Sequence, residues 1–254
     1  MQPTSLWYGV LIGVCVVAAT SFVALLFVPA PYGRHDKGKA GPQINTRLGW
    51  VLMESPASLV FAYFFFTGAN PGGAVPLILF GLWQLHYFHR SFLYPFQIEV
   101  RPGSGMNVAT MLMGSAFCAA NGYLNGSYTA TYGTHLDAAW LSDPRFVLGV
   151  LVFAAGYALN KQSDAILRGL RRPGESGYKI PHGGAYRWVS APNYLGELLT
   201  WIGFALASWS PAALSFVCMT AANLVPRALT NHRWYQKQFP DYPRERKALI
   251  PFVL

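Results

Sequence analysis

Long apolar runs divide this chain and predict helices that cross a membrane. The longest, 6–28, holds 23 residues without a charge, enough to cross a hydrocarbon core of about 30 Å. It has no basic segment before it and no A-x-A-like cleavage site, so it predicts a retained helix rather than a signal peptide. The seven runs together predict an all-α integral membrane protein, a seven-helix bundle forming a single domain over 1–254. They cover about 6–28, 48–68, 74–89, 106–124, 146–160, 191–209 and 211–226.

The composition supports a membrane protein. Hydrophobic residues make up 53% of the chain and charged residues 11%, whereas soluble domains carry about 25% charged residues. The deficit of charge indicates that most of the chain lies in lipid.

The basic residues predict the orientation of the bundle. If the N-terminus lies outside and the seven spans alternate, 18 of the 19 Lys and Arg residues fall on the inner side, and Arg145 alone falls outside. This asymmetry follows the positive-inside rule, so we expect an outer N-terminus and a cytoplasmic C-terminus. The net charge of +9 therefore marks the cytoplasmic face and does not indicate a nucleic-acid partner.

Unusual polar residues collect in the cytoplasmic half of the predicted bundle. Glu54 opens the second span, Tyr87 closes the third and Asn160 closes the fifth, while Asn193 and Glu197 open the sixth. Ionisable side chains inside a membrane are costly and by default suggest a functional site. We expect them to line a cavity that opens to the cytoplasm.

The most polar segment, 160–184, follows the fifth span. Asn160, Asp164, Arg168 and Arg171 recur at helical spacing and would form one polar stripe. Arginine suits phosphate oxygens, while Asn and Asp suit ribose hydroxyls or an amide. The alternative is a cytoplasmic loop that is basic only because of the orientation, with salt bridges within its helix. The absence of a G-x-G-x-x-G or Walker sequence excludes a typical Rossmann or P-loop site.

Glu54 and Tyr87 form the candidate catalytic pair. A carboxyl group in an apolar pocket keeps its proton because desolvation disfavours the charged form. Glu54 would then donate a hydrogen bond together with the Tyr87 phenol and polarise the carbonyl of a lipid-soluble ketone. The alternatives are a Glu54 that only bonds a neighbouring helix and a Tyr87 that belongs to the interfacial aromatic belt.

The cysteines and histidines do not predict a metal centre. His86 and His89 have a spacing that a metal could use, but the other histidines are scattered, so interfacial positions are favoured. The three cysteines lie in apolar runs and predict buried thiols without disulfides, namely Cys15, Cys118 and Cys218.

Two further segments carry weaker signals. The segment 227–254 is basic, aromatic and amphipathic, which also suits a tail lying on the membrane surface. Asn125 begins an N-G-S sequence on the predicted outer side, so it is a candidate for glycosylation in a eukaryotic cell.

Several stretches resemble the steroid 5α-reductase family, in matching order from about residue 32 to the C-terminus. They are MESPAS, HYFHRSFLYPF, CAANGYLN, DPRF, LNKQSDAILRGLRRPGESGYKIPHGG, APNYLGELLTWIGFALASWS and HRWYQKQFPDYPRERKALIPF.

The resemblance implies an integral membrane enzyme of seven helices that uses NADPH to reduce the double bond of a Δ4-3-ketosteroid or similar enone. It places the carbonyl-binding residues at Glu54 and Tyr87. It places the cofactor contacts at Arg90, Asn160, Asp164, Arg168, Arg171, Tyr178, Asn193, Glu197, Arg227, His232 and Tyr235.

Three positions depart from the family pattern. Met53 stands where similar proteins carry Gln, Asn231 replaces a His, and Lys179 replaces an Arg. Lysine can still meet a phosphate but cannot form a two-pronged contact. The resemblance therefore leaves the steroid preference open.

Other functions share parts of these features. An enoyl-thioester reductase would use the same hydride chemistry, and isoprenylcysteine methyltransferases, which use S-adenosylmethionine, are similar in the C-terminal segment, as are sterol C14-type reductases. A non-enzymatic receptor or lipid-binding protein is a further alternative. We expect a lipid-soluble substrate, contact with membrane lipid, no obligate protein partner, and a multi-pass location in the endoplasmic reticulum or a bacterial inner membrane.

Overall fold

The computed structural model describes residues 1–28, 41–100, 103–170, 175 and 177–254. Within these ranges the chain is mostly helical, and each predicted span corresponds to one long helix. A π-helical turn, His89–Leu93, joins α3 to the short α4. The helices are α1 (Ser5–Phe27), α2 (Thr46–Phe66), α3 (Ala74–Phe88), α4 (Tyr94–Gln97), α5 (Val108–Ser127), α6 (Pro144–Gly169), α7 (Pro192–Ser208) and α8 (Pro211–Gln238).

A small antiparallel ribbon, which the apolar pattern did not predict, aligns the starts of α2 and α5. Strand β1 (Gln43–Asn45) pairs with β2 (Gly105–Asn107). The last residue of each strand is an asparagine whose side chain accepts backbone N–H groups of the following helix, as N-caps do. The two helices run in the same direction, because Gly114 of α5 lies against Met53 of α2 and the later Gly126 lies against the later Phe61.

Glycines allow α6 and α7 to pack in direct backbone contact. A Cβ atom added to Gly203 would lie 2.2 Å from the Phe153 nitrogen, and one added to Gly156 would lie 2.4 Å from the Thr200 nitrogen. At such distances a side chain at either glycine would overlap the backbone of the facing helix. The pairing is antiparallel, because Gly149 meets Ala207 at the other end of the contact.

An aromatic core fills the space between α2, α3, α7 and α8. Trp83 stacks on Phe61 with ring centroids 4.6 Å apart and packs against Trp201 at 5.3 Å. Its indole N–H donates to the Ala57 carbonyl at 2.8 Å, so the polar atom of this buried ring is satisfied. Phe216 joins the cluster from α8, 4.4 Å from Trp201.

The ends of the helices alternate between two faces of the bundle. Trp7 at the start of α1 lies with Ala212 at the start of α8, and its indole N–H donates to Leu124 near the end of α5. Tyr87 near the end of α3, Asn160 in the later part of α6 and Asn193 at the start of α7 lie toward the opposite face.

Three of the helices, α1, α2 and α8, are long and apolar enough to cross a membrane. Within the described ranges α3 and α7 are shorter, at 15 and 17 residues, than the ~20 residues that a typical crossing requires. Helix α6 is long but carries Lys161, Asp164 and Arg168 in its last turns. The membrane character is thus supported, while seven crossings and an outer N-terminus stay predictions.

The cysteine prediction is right for one of the three positions. Cys118 is buried between helices, but Cys15 and Cys218 are exposed on the outer surfaces of α1 and α8. An apolar run shows that a residue is in or near lipid, yet it does not show whether the residue points into the bundle or away from it.

Candidate active site

Glu54 lies on α2 in an ion pair. Arg90 donates from Nε to Glu54 Oε1 at 3.2 Å, and Cys118 Sγ lies 3.8 Å from Oε2. The expectation of a carboxyl group in a purely apolar pocket is wrong on this point, since a guanidinium group stands beside it. A buried carboxylate is tolerated when it is paired and hydrogen-bonded, and Arg90 provides both.

Arg90 reaches Glu54 because it lies in the π-helical turn that follows α3. Its guanidinium carbon lies 5.0 Å from the Trp50 ring and 5.1 Å from the Tyr94 ring, within range of cation–π attraction. A π-helical turn is an irregular feature that often marks a functional site, and here it places a charge inside the bundle.

Tyr87 lies in the aromatic core rather than in an interfacial belt. Its ring centroid is 4.9 Å from that of Trp83 and 5.5 Å from that of Trp201. Its hydroxyl oxygen accepts a hydrogen bond from Asn121 Nδ2 at 3.3 Å. Tyr87 and Glu54 thus belong to two separate hydrogen-bonded pairs, Tyr87 with Asn121 and Glu54 with Arg90.

Glu197 on α7 is the centre of a second polar cluster. Its Oε1 accepts from Trp201 Nε1 at 2.9 Å and lies 3.2 Å from His86 Nε2, while its Oε2 accepts from Asn160 Nδ2 at 3.2 Å. His86 is buried at the end of α3, so the interfacial position expected for it is wrong. The family pattern had not singled out His86 or Trp201.

The cluster continues along α6. Asn160 Nδ2 also donates to the Asn193 carbonyl at 3.0 Å, and Asn193 Nδ2 donates to Asp164 Oδ1 at 3.1 Å. Four of the predicted cofactor residues thus form one hydrogen-bonded chain, which runs from Glu197 through Asn160 and Asn193 to Asp164. His89 Nδ1, nearby, lies 3.1 Å from Lys161 Nζ.

Other predicted cofactor residues line the end of the bundle beyond this cluster. Arg227 lies with its guanidinium carbon 5.3 Å from the Tyr194 ring, and Tyr178 packs edge-on against Trp234 at 4.9 Å. Arg168 is exposed on α6. Arg171 lies outside the described residues.

His232 and Tyr235 are held by residues that the sequence did not single out. His232 Nδ1 lies 2.6 Å from Ser190 Oγ, which is also 2.6 Å from the Tyr242 hydroxyl. Tyr235 stacks on Tyr242 with centroids 5.3 Å apart. Nearby, burial raises the pKa of Tyr186, so that phenol stays protonated at neutral pH.

The C-terminal segment is folded onto the bundle rather than lying apart as a surface tail. The Ser190 and Ala191 N–H groups donate to the carbonyls of Lys247 and Ala248, and Leu249 packs with Ala191 in an apolar cluster. The segment is therefore not a free tail, and its position at the membrane surface stays a prediction.

The proposed glycosylation residue is also placed differently from the expectation. Asn125 is buried in α5, and its side chain donates to Asn121 Oδ1 at 2.9 Å. A glycan needs an exposed loop, so the structure excludes this residue as an acceptor. The N-G-S pattern carries no information on burial.

The described residues contain no group of three or more His, Cys, Asp or Glu placed to hold a metal ion. Of the three departures from the family pattern, Met53 packs closely on Gly114 of α5, and Lys179 pairs with Glu175.

Comparisons with known proteins identify the family. A family model described as 3-oxo-5-alpha-steroid 4-dehydrogenase matches residues 104–254. The chain is 42% identical over 253 residues to the pig 3-oxo-5-alpha-steroid 4-dehydrogenase 2, covering 96% of each chain. It is 38% identical to the rat type 1 enzyme over 94% of this chain and 92% of that one. The cotton steroid 5-alpha-reductase DET2 is 36% identical over 98% of both.

The chain belongs to the 3-oxo-5-alpha-steroid 4-dehydrogenase family. The resemblance seen in the sequence is confirmed, and with it the class of the protein, a membrane oxidoreductase. Membership of this family implies a nicotinamide cofactor.

Proposed function

We propose that the protein uses NADPH to reduce the Δ4 double bond of a 3-oxo-Δ4 steroid, giving the 5α-dihydro steroid. The observation that carries this proposal is the pair of buried polar contacts, Glu54 with Arg90 and Tyr87 with Asn121, in an otherwise aromatic core. The names of two relatives describe dehydrogenation of a 3-oxo-5-alpha-steroid at position 4, the reverse of this reduction, and the cotton relative is named a steroid 5-alpha-reductase.

Glu54 and Tyr87 would hold the substrate ketone. For Glu54 to donate, its carboxyl group must carry a proton. Oε1 then accepts from Arg90, as in the structure, and the proton lies on Oε2, where the ketone oxygen would take the place of the Cys118 thiol, 3.8 Å away. Tyr87 supplies a second donor from the other side of the substrate. Arg90 thus orients the carboxyl group instead of contacting the cofactor directly.

The two donors act on the charge that develops during the reaction. The cofactor, when bound, supplies a hydride to the β carbon of the enone. Negative charge then moves to the ketone oxygen, where two fixed donors stabilise the transition state more than the neutral ground state. A proton added at the α carbon completes the reduction, and the surrounding tryptophans exclude water.

The hydrogen-bonded cluster on α6 and α7 would hold the cofactor. Amides and carboxylates at Asn160, Asp164, Asn193 and Glu197 suit ribose hydroxyls and a carboxamide. The more distant residues would contact the phosphates and the second nucleoside, namely Arg168, Tyr178, Arg227, His232 and Tyr235. The resemblance alone adds Arg171, which lies outside the described residues.

One buried side chain supports a site for an anionic cofactor. Arg246 is buried, and among the described residues its Nε and Nη1 atoms have no hydrogen-bond partner. Its guanidinium carbon lies 5.2 Å from the Tyr242 ring. A buried guanidinium group without a carboxylate is costly unless a ligand anion completes it, and phosphate oxygens match its geometry.

The arrangement fits entry of the two reactants from different sides. With seven spans and an outer N-terminus, the cluster would open to the cytoplasm, where NADPH is available. The steroid would enter laterally from the bilayer. A eukaryotic protein would then lie in the endoplasmic reticulum and a bacterial one in the inner membrane.

The deciding experiment is turnover by the detergent-purified protein with progesterone or testosterone. We expect NADPH consumption and a product that is two hydrogen atoms heavier and retains its 3-ketone. NADPH binding without turnover of steroids would redirect the search to other enones, including enoyl thioesters. A protein that bound no NADPH would contradict the proposal and favour a methyltransferase.

A further inference from the structure

Two buried asparagines stand behind the candidate catalytic phenol. Tyr87, Asn121 and Asn125 are 3%, 2% and 1% exposed. Asn121 Nδ2 donates to the Tyr87 hydroxyl oxygen at 3.3 Å. Asn125 Nδ2 donates to Asn121 Oδ1 at 2.9 Å and to the Asn121 carbonyl at 3.1 Å. Burying two amides in an apolar core costs free energy unless they are hydrogen-bonded, which suggests that these asparagines have a role besides packing.

The direction of these bonds has a chemical consequence. An amide NH2 group only donates, so Asn121 uses a lone pair of the phenol oxygen. The O–H proton of Tyr87 then remains available for another hydrogen bond. Had the Asn121 amide oxygen faced Tyr87 instead, the phenol would have donated to it and its proton would have been turned away from a substrate.

Asn125 fixes which end of the Asn121 amide faces Tyr87. Both hydrogens of its NH2 group are used on Asn121, one on the side-chain oxygen and one on the backbone carbonyl. A flipped Asn121 would place its own NH2 group against that of Asn125, which is unfavourable because both groups donate. One turn of α5 separates the two residues, so helix geometry keeps them in register.

No other residue that the structure describes forms a hydrogen bond with the Tyr87 hydroxyl. Its ring is surrounded by the Trp83, Trp201 and Phe216 rings. Within the described part of the chain, Asn121 provides the hydrogen bond that the phenol oxygen makes. The proton is therefore available to a ligand that enters the core beside Glu54.

We propose that Asn121 and Asn125 are positioning residues that keep Tyr87 as a hydrogen-bond donor to the substrate ketone. This inference rests on the proposed function, because it assigns the task of the two asparagines in the same site. It requires no covalent step. The Asn125-to-Asn121-to-Tyr87 chain sets the direction of one hydrogen bond before the substrate arrives.

The test compares Asn121→Leu and Asn121→Asp with a matched control, Ser127→Ala. Ser127 is also a buried polar residue of α5, but it bonds only the backbone of its own helix. For each variant we would measure kcat, KM for steroid and NADPH, the melting temperature, and the infrared carbonyl band of a bound steroid labelled with ¹³C at the 3-ketone.

We expect Asn121→Leu to lower kcat about 10-fold, since loss of a whole donor costs about 10²–10³-fold. The KM for NADPH should not change, and the carbonyl band should move toward its higher, unbonded frequency. Asn121→Asp keeps the shape but can accept the phenol proton, so kcat should fall further. Ser127→Ala should change neither kcat nor the band.

A second variant guards against a fold defect at position 121. Asn125→Asp leaves Asn121 in place but removes the amide that orients it, so kcat and the carbonyl band should shift in the same directions, by smaller amounts.

Wild-type kcat and an unshifted carbonyl band in folded Asn121→Leu would overturn the positioning role of the two asparagines, even if the proposed function is correct. If the wild-type protein reduced no enone, the proposed function would fail. The carbonyl band of a bound 3-ketosteroid, compared between the wild type and Asn121→Leu, would still test the positioning role. Absence of any bound ketone band would overturn both.

Discussion

The two candidate catalytic residues are each paired, and their partners come from distant parts of the chain. Glu54 bonds a residue 36 positions away, and Tyr87 bonds one 34 positions away. The cost of burying a carboxyl or a phenol identifies the residue as unusual from the sequence, but it does not name the partner. Arg90 was expected at the cofactor and Asn121 was not expected in the site at all.

Removing the donors at the ketone tests the catalytic assignment. Glu54→Gln and Tyr87→Phe should each lower kcat about 10²–10³-fold, because each removes or weakens one hydrogen bond that strengthens in the transition state. NADPH binding, measured by fluorescence titration, should persist, since the side chains of Glu54 and Tyr87 form their hydrogen bonds with Arg90 and Asn121 and not with the Glu197 cluster.

A tyrosine on the lipid-facing side of α2 provides the control. Tyr63 is 63% exposed, and Tyr63→Phe should keep wild-type kcat. Full turnover in either site variant would remove that residue from the catalytic role.

An ion pair on the other face of the bundle predicts a pH dependence of stability. Arg145 hydrogen-bonds both oxygens of Asp143 and lowers the pKa of that carboxyl group from 3.8 to about 2. Because the folded pKa lies below the unfolded one, the pair stabilises the fold above about pH 4, and this contribution is lost as the pH falls toward 2.

The Asp143→Asn variant should therefore melt at a lower temperature than the wild type by a constant amount between pH 5 and 8. The difference should shrink as the pH falls below 4. Melting curves in one detergent across that range would show it. A difference that grew on acidification would contradict the assigned ion pair.

At the level of helices, glycine determines how closely α6 and α7 approach. Gly149 and Gly156 on one helix, and Gly196 and Gly203 on the other, are each seven residues apart and lie along one contact line. Small residues at such spacing allow backbones to touch, which is how helices gain packing energy in lipid. This contact also sets the distance between Asn160 and Glu197, which lie on the two helices.

Gly203→Ala should destabilise the protein by about 1–3 kcal/mol, because its new methyl group would overlap the backbone of α6. The matched control is Gly81→Ala on α3, where no atom lies within 4 Å of an added Cβ. Thermal unfolding should show a loss for the first variant and none for the second. Equal melting temperatures for wild type and Gly203→Ala would mean that α6 and α7 lie farther apart.

For the whole molecule, the distribution of basic residues and the directions of the helices are consistent with the same orientation in the membrane. The helix ends alternate between two faces, and the polar residues of the site lie toward one of them. Arg145 lies at the start of α6 toward the other, where Asp143 pairs with it and the Trp140 and Trp209 rings flank it at 4.3 Å and 4.8 Å. Arg145, which the sequence predicts to lie outside, is thus paired with a carboxylate and held between aromatic rings.

Labelling of introduced cysteines tests this orientation. With the protein in the inner membrane of intact bacterial cells, a maleimide that does not cross this membrane should label Ala139→Cys and should leave Lys237→Cys unlabelled until the cells are permeabilised. Both positions are exposed in the structure. The reagent must first be shown to leave the wild-type cysteines unmodified. The reverse pattern would place the cofactor cluster on the outer side.

Much of the architecture follows from local properties of the chain. Apolar runs locate the helices to within a few residues, except that α6 and α8 continue well past their predicted ends, because polar residues sustain a helix beyond the membrane. Motif order identifies the family, and the burial cost of ionisable groups identifies Glu54 and Glu197.

The pairings within the site depend on the rotation and depth of each helix, which no local pattern specifies. Each residue turns a helix by about 100°, so a small shift decides whether a side chain faces lipid, as Cys15 does, or the core, as Asn125 does. Glycine contacts and aromatic packing between distant segments set those rotations. They place Arg90 beside Glu54, His86 beside Glu197 and two asparagines behind Tyr87, because only packing of all the helices together brings these atoms within bonding distance.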